Sequence, residues 1–315
     1  MNDNYLWDRS GPPDPEIERL EELLAPLRHR ARPAAVAARP RPWRAMAAVA
    51  AVVLIALWIP KSHDAPATGW AVSRVDGSAR LGNTAAALDM PLRAGQSLRT
   101  ARASELTLED DDVGRIDLGP DSEIRASATR VALQRGRLHA FIWAPPRRFV
   151  VDTPSARAVD LGCEYTIDVD PAGNGLLKVA MGWVAFQFDG RESFIPAGAR
   201  CSTRKQSGPG LPYYEDAPFA PSVAAFEHGD RTALTHILDT ARPRDGLTLW
   251  HLLTRVPAQD RAAVYDRFAR LVKLPPEVSR AGVLQRDPHM IDLCWDALEL
   301  ENTGWWRGWE RNWTR

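Results

Sequence analysis

Residues able to do covalent or metal chemistry are present but scattered. Seven histidines are spread over 315 residues, and no serine lies in the Gly-x-Ser-x-Gly elbow that would expose a nucleophile. His139 and Cys163 are of the right types for a base and a thiol nucleophile. His139 also reads simply as one residue of a strand. His289, Asp292, Cys294 and Asp296 are metal-capable types at a spacing unlike the usual zinc patterns. Asp110 to Asp112 lacks the alternating ligands and the glutamate at the twelfth position of a calcium loop, and reads as a solvated turn. Three cysteines, Cys163, Cys201 and Cys294, are too few for a disulfide scaffold and have no metal spacing. The expectation is therefore a chain that is not an enzyme and uses no metal or cofactor. Forty basic and forty acidic side chains cancel, so no polyelectrolyte signature points to nucleic acid.

Residues 43–60, WRAMAAVAAVVLIALWIP, set the organisation of the rest. No charged side chain lies between Ala45 and Ile59. As a helix the segment would rise ~27 Å, close to a hydrocarbon core, with Trp43 and Trp58 as interfacial rings. Six arginines between Arg28 and Arg44 precede it without an acidic residue among them, whereas Lys61 alone follows closely. Positive charge stays inside, so the expected topology is single-pass in a bacterial inner membrane, N-terminus cytoplasmic and C-terminus periplasmic. A buried core helix is a weaker reading, because this one would be apolar all round. A cleaved signal peptide would need a much shorter leading region. All three cysteines then lie on the oxidising side.

Ahead of the span, residues 14–30 carry a helix start. Asp14 can cap, Pro15 suits the first helical position, and Glu16 and Glu18 suit the positive end of the dipole. Ile17, Leu20, Leu23, Leu24 and Leu27 form one apolar stripe, and Trp7 can add an aromatic anchor. Forty-two residues are too few to bury that stripe in a core of their own. It must cover itself with a partner, the membrane surface or a second copy.

Beyond the span, residues 61–207 read as short alternating strands punctuated by Gly and Asp turns, the pattern of antiparallel strands in a sandwich or roll. A turn is expected at Arg135-Gly136, between VALQ and RLHAFIW. Residues 208–315 change to three- and four-residue spacing. Helices are expected over 220–240, 246–256, 260–272 and 289–300, as a small helical module. At the C-terminus Trp305, Trp309 and Trp313 fall on one helical face with Trp306 beside it. Such rings can stack on a glycan, lodge at a membrane interface or clamp a terminal helix. The fold class is thus mixed and mainly β: 1–42 a cytoplasmic helix and basic tether, 43–60 a transmembrane helix, 61–207 the β domain and 208–315 the helical module.

The β region resembles FecR-type domains. Val75-Asp76-Gly77-Ser78-Ala79 and the stretch from Leu92 to Thr100 match that family's opening elements. Pro120-Asp121-Ser122, Leu133 to Leu138, Val150 to Pro154, Leu161-Gly162-Cys163-Glu164-Tyr165 and Pro196-Ala197-Gly198 follow in the family's order. Members of that family are single-pass inner-membrane regulators whose cytoplasmic end controls an extracytoplasmic-function sigma factor. The resemblance therefore implies an anti-sigma regulator with a cytoplasmic sigma factor as partner and a periplasmic signal, protein or glycan. The rival expectation is a tethered periplasmic binding or scaffold module with no regulatory role inside. Cys163 stands where the family usually has a small hydroxyl residue. A Cys163–Cys201 bridge, if their strands are neighbours, would close a loop of about 40 residues and stabilise by ~3–4 kcal/mol.

Overall fold

The computed structural model describes residues 19, 22–24, 67–127 and 130–300. The expected span at 43–60 lies outside them. Among the described residues no helix is long and apolar enough to cross a membrane.

The first half of the β region supplies β1 (Ala67–Asp76), β2 (Ala79–Leu81), β3 (Thr84–Ala85), β4 (Pro91–Arg93), β5 (Ser97–Thr100), β6 (Glu105–Asp110), β7 (Gly114–Leu118), β8 (Glu123–Ala126) and β9 (Val131–Ile142). The second half supplies β10 (Val150–Asp152), β11 (Arg157–Asp160), β12 (Glu164–Val169), β13 (Gly175–Met181), β14 (Trp183–Phe188), β15 (Arg191–Pro196), β16 (Ala199–Arg204), β17 (Gly208–Pro209) and β18 (Tyr213–Tyr214). They form two sheets that share β9. In the first the order is β4-β1-β6-β7-β9-β12-β13-β16, with β17 and β18 on the outer edge of β16. In the second it is β3-β2-β5-β8-β9-β10-β11-β14-β15. All of these pairs are antiparallel except β9–β10.

The long strand β9 corrects the expected turn at Arg135-Gly136. The chain does not reverse there but passes from one sheet to the other. Residues 131–135 pair with β8, and residues 136–142 pair with β7 and β12. Gly136 has φ of +89°, a conformation that side-chain-bearing residues rarely take. A Cβ there would also lie 2.3–2.7 Å from side-chain and backbone atoms of Ser122. The sequence shows a glycine between apolar runs, and only long-range pairing distinguishes a kink from a hairpin.

Alternation buries Leu106, Leu108, Ile116, Leu118, Leu138, Ala140, Ile142, Tyr165, Ile167, Leu177 and Val179 on the inner side of the first sheet. The strand pair β14–β15 departs from alternation. Trp183, Val184, Ala185 and Phe186 are all buried, as are Ser193, Phe194, Ile195 and Pro196, because the second sheet is covered there on both faces.

The cover is helical: α1 (Ala220–Glu227), α2 (Arg231–Thr240), α3 (Gly246–Arg255), α4 (Ala258–Leu271), α5 (Arg280–Leu284) and α6 (Pro288–Asp296). The single helix expected over 220–240 is two helices. Gly229 at φ +92° ends α1, and the Asp230 carboxylate accepts from Thr232 N–H at 2.8 Å to start α2. Helix α3 is buried over residues 246–253. Trp295 of α6 packs against Trp183 at 6.0 Å, Phe194 at 5.5 Å and Trp250 at 4.7 Å between ring centroids. Residues 64–315 cluster as one compact unit. The boundary expected after residue 207 falls in the β16–β17 turn, inside that unit.

Helix α3 also closes a sheet edge. Among the described residues strand β15 has no strand partner on its outer side, and unpaired edge groups invite further strand addition. One turn apart on α3, His251 and Arg255 meet those groups instead. Phe194 N–H donates to His251 Nε2 at 3.2 Å, and Arg255 Nη2 donates to Glu192 O at 2.8 Å. The His251 ring is therefore neutral, with Nδ1–H directed at Leu247 O at 2.8 Å, and burial holds its pKa well below the usual value.

Candidate interaction surface

The outer face of the first sheet carries polar residues in register. Asp117, His139, Thr166 and Lys178 stand side by side on β7, β9, β12 and β13. Thr107 Oγ1 donates to Asp117 Oδ1 at 2.7 Å, Arg115 donates to the same oxygen from Nε and Nη2 at 3.1 Å each, and Arg137 Nε meets Asp168 Oδ1 at 2.6 Å. His139 faces Thr166 Oγ1 at 3.1 Å and Glu164 Oε1 at 3.4 Å.

One row toward the β6–β7 turn, the chemistry changes. Register places Glu109, Arg115, Phe141, Glu164 and Met181 across five adjacent strands. Phe141 is 41% exposed, Met181 50%, and Trp143, two residues beyond Phe141, 51%. The Phe141 and Trp143 rings meet edge-on at 6.0 Å. Trp143 Nε1–H donates to Asp111 O at 2.9 Å, so its polar end is satisfied and its position fixed while its ring face stays in water. Sequence reading passed over these residues. The signal was the phase of RLHAFIW: Phe141 and Trp143 share parity with Arg137 and His139, opposite to the buried Leu138, Ala140 and Ile142.

Behind this sheet lies a buried polar group. At the joint between β11 and β12, Asp160 has no exposure. Its Oδ1 accepts from Gly162 N–H at 2.7 Å and its Oδ2 from the Cys163 thiol at 2.5 Å. Burial pushes the carboxyl up to about 7 and drives the Cys163 thiol far upward, keeping it protonated. The neighbouring Tyr165 hydroxyl, also buried, has no hydrogen-bond partner. A separate polar groove of about 490 Å³ runs over β10, β11, β14 and β15, lined among others by Asp152, Arg157, Gln187 and Glu192. Gln187 donates to Glu192 there at 2.5 Å, and burial raises Glu192 to about 7.

The expected Cys163–Cys201 bridge is not formed, and both thiols are free. Strand β13 lies between β12 and β16, with Leu177 in register with Cys201, whereas Cys163 precedes β12 at the level of Met181. Cys163 is turned to Asp160, and Cys201 donates to the carbonyls of Ser202 and Gly210 at 3.3 Å. Nor do His139 and Cys163 meet, since one lies on the outer face and the other is buried. Cys294 is on the buried side of α6, and among the described residues no three His, Cys, Asp or Glu side chains form a group that could hold a metal. Of the N-terminal stripe, Leu23 and Leu24 are helical and 69% and 56% exposed. Trp7, Ile17, Leu20 and Leu27 lie outside the described residues, as do Trp305, Trp306, Trp309 and Trp313.

Residues 96–185, spanning β5 to the first half of β14, match the family model described as FecR protein. Two solved structures also resemble the chain, both described as "a putative anti-sigma factor" from Parabacteroides distasonis ATCC 8503, at 1.65 and 2.50 Å resolution. Each is 16% identical, with a TM-score of 0.34, and the likeness covers 46% of this chain and 73% of that one. No curated protein matches.

Proposed function

We propose that this chain is a FecR-like, single-pass inner-membrane regulator. Its N-terminal stripe binds and controls a cytoplasmic sigma factor, and its β unit receives a periplasmic signal. The FecR match over residues 96–185 carries the reading. Two features support it further: Leu23 and Leu24 stand exposed in helical conformation, and the apolar segment 43–60, preceded by six arginines and followed closely by Lys61 alone, favours an outward-facing β unit.

In this mechanism Leu20, Leu23 and Leu24, with Ile17 and Leu27 on the same stripe, seat the helix in an apolar groove of the sigma factor. A change in the β unit reaches that helix through the span and alters the hold on the sigma factor. The test uses the full chain in a non-ionic detergent, co-expressed in turn with each extracytoplasmic-function sigma factor of the source organism. Burial of each leucine contributes ~1.5–3 kcal/mol, so replacing Leu20, Leu23 and Leu24 by Ser together lowers co-purified sigma factor by more than about tenfold. Transcription from its promoter changes in step. Undiminished co-purification by the triple variant would overturn the reading.

A further inference from the structure

We propose that Phe141, Trp143 and Met181 form a docking surface for a cationic, partly apolar segment of a partner protein. Single exposed apolar residues need no explanation, but Phe141 and Trp143 touch edge-on with Met181 on the same face beyond Glu164, and such a grouping on an otherwise polar sheet face marks a contact surface. Trp143 is held in place by its bond to Asp111 O and its edge contact with Phe141. A large ring already fixed in position loses little freedom on binding, which is the property of an interface anchor.

Charge decides the occupant. Glu164 lies within the row between Phe141 and Met181, Glu109 stands at its β6 end, and Asp111 and Asp112 lie at the β6–β7 turn. The one basic residue within the row, Arg115, is paired with Asp117 through Nε and Nη2. The apolar side chains are therefore set among carboxylates. An anionic lipid surface is repelled by them, and a second copy docked face to face would set carboxylates against carboxylates. Lysine or arginine flanking an apolar side chain satisfies both parts. The inference does not depend on the cytoplasmic helix or its sigma factor, so it can stand or fall separately.

The experiment places the photo-reactive residue p-benzoylphenylalanine at position 143, and separately at 181, in the full chain in living cells. Cross-linked peptides are then sequenced by mass spectrometry. The expected result is a discrete protein adduct at both positions, mapping to a segment rich in Lys or Arg. Glu109→Lys with Asp112→Lys lowers adduct yield by about tenfold or more while the melting temperature stays within a few degrees. Phe141→Ser lowers the yield from position 181 as well. Adducts to lipid or to another copy of this chain, no protein adduct, or a yield untouched by charge reversal would each overturn the proposal.

Discussion

At the scale of single residues, Asp160 is a group whose chemistry departs far from its solution behaviour. A carboxylate without exposure has lost its hydration, and a thiol and one amide are weak replacements. Its proton is therefore held in the folded chain up to about pH 7, against about 3.8 unfolded. A raised carboxyl pKa means the folded state binds the proton more tightly. The stability it contributes is complete below about pH 3.8 and is lost as pH climbs through 7. The loss amounts to at most about 4 kcal/mol. Asp160→Asn keeps an acceptor for Gly162 N–H and cannot ionise. Urea melts at pH 5 and pH 8 are expected to show the variant gaining on the wild type at the higher pH by a few kcal/mol. An unchanged difference between the two pH values would show that the carboxyl does not titrate in this window.

At the scale of elements, β9 is the member both sheets depend on, and its course rests on Gly136. Alanine there meets a left-handed backbone and Ser122 atoms well inside contact distance. Gly136→Ala is expected to cost about 2–4 kcal/mol through strain and displacement of the 120–122 turn, visible as a lower urea midpoint. Gly82 also has positive φ, but a Cβ there meets nothing within 4 Å, so Gly82→Ala should cost less. Equal costs would remove the steric part of the explanation. The helix α3 illustrates a different kind of dependence, in which side chains at positions 251 and 255 replace a missing neighbouring strand.

At the scale of the whole molecule, the β unit and the C-terminal helices share one core. Trp295 packs on Trp183 and Phe194 and is itself backed by Trp250 and His251, and Arg255 caps β15. A chain ending at residue 207 would leave these rings in water, with the Phe194 N–H and Glu192 C=O unpaired on an open edge. It is expected to aggregate on size-exclusion chromatography in detergent that keeps the full chain dispersed. A monodisperse, cooperatively melting product would mean that the β part folds without its helical cover.

Much of the fold was legible in the residues themselves, and physical reasons separate what was from what was not. Strand alternation, the Gly and Asp turns and the ordered FecR elements are local, since each depends on neighbours a few positions away. They were enough for a mainly β frame and a helical C-terminal part, whereas the parity of Phe141 and Trp143, although present in the strand pattern, was passed over. Three features depend on pairing across long stretches of chain: the passage of β9 between sheets, the placement of β13 between the two cysteines, and the cover of β14 and β15 by α3 and α6. Composition along the chain was therefore sufficient for the kinds of element. Which edges meet, which thiols stay apart and which carboxyl loses its water were decided only when the sheets and helices closed on one another, because burial is a property of the assembled core.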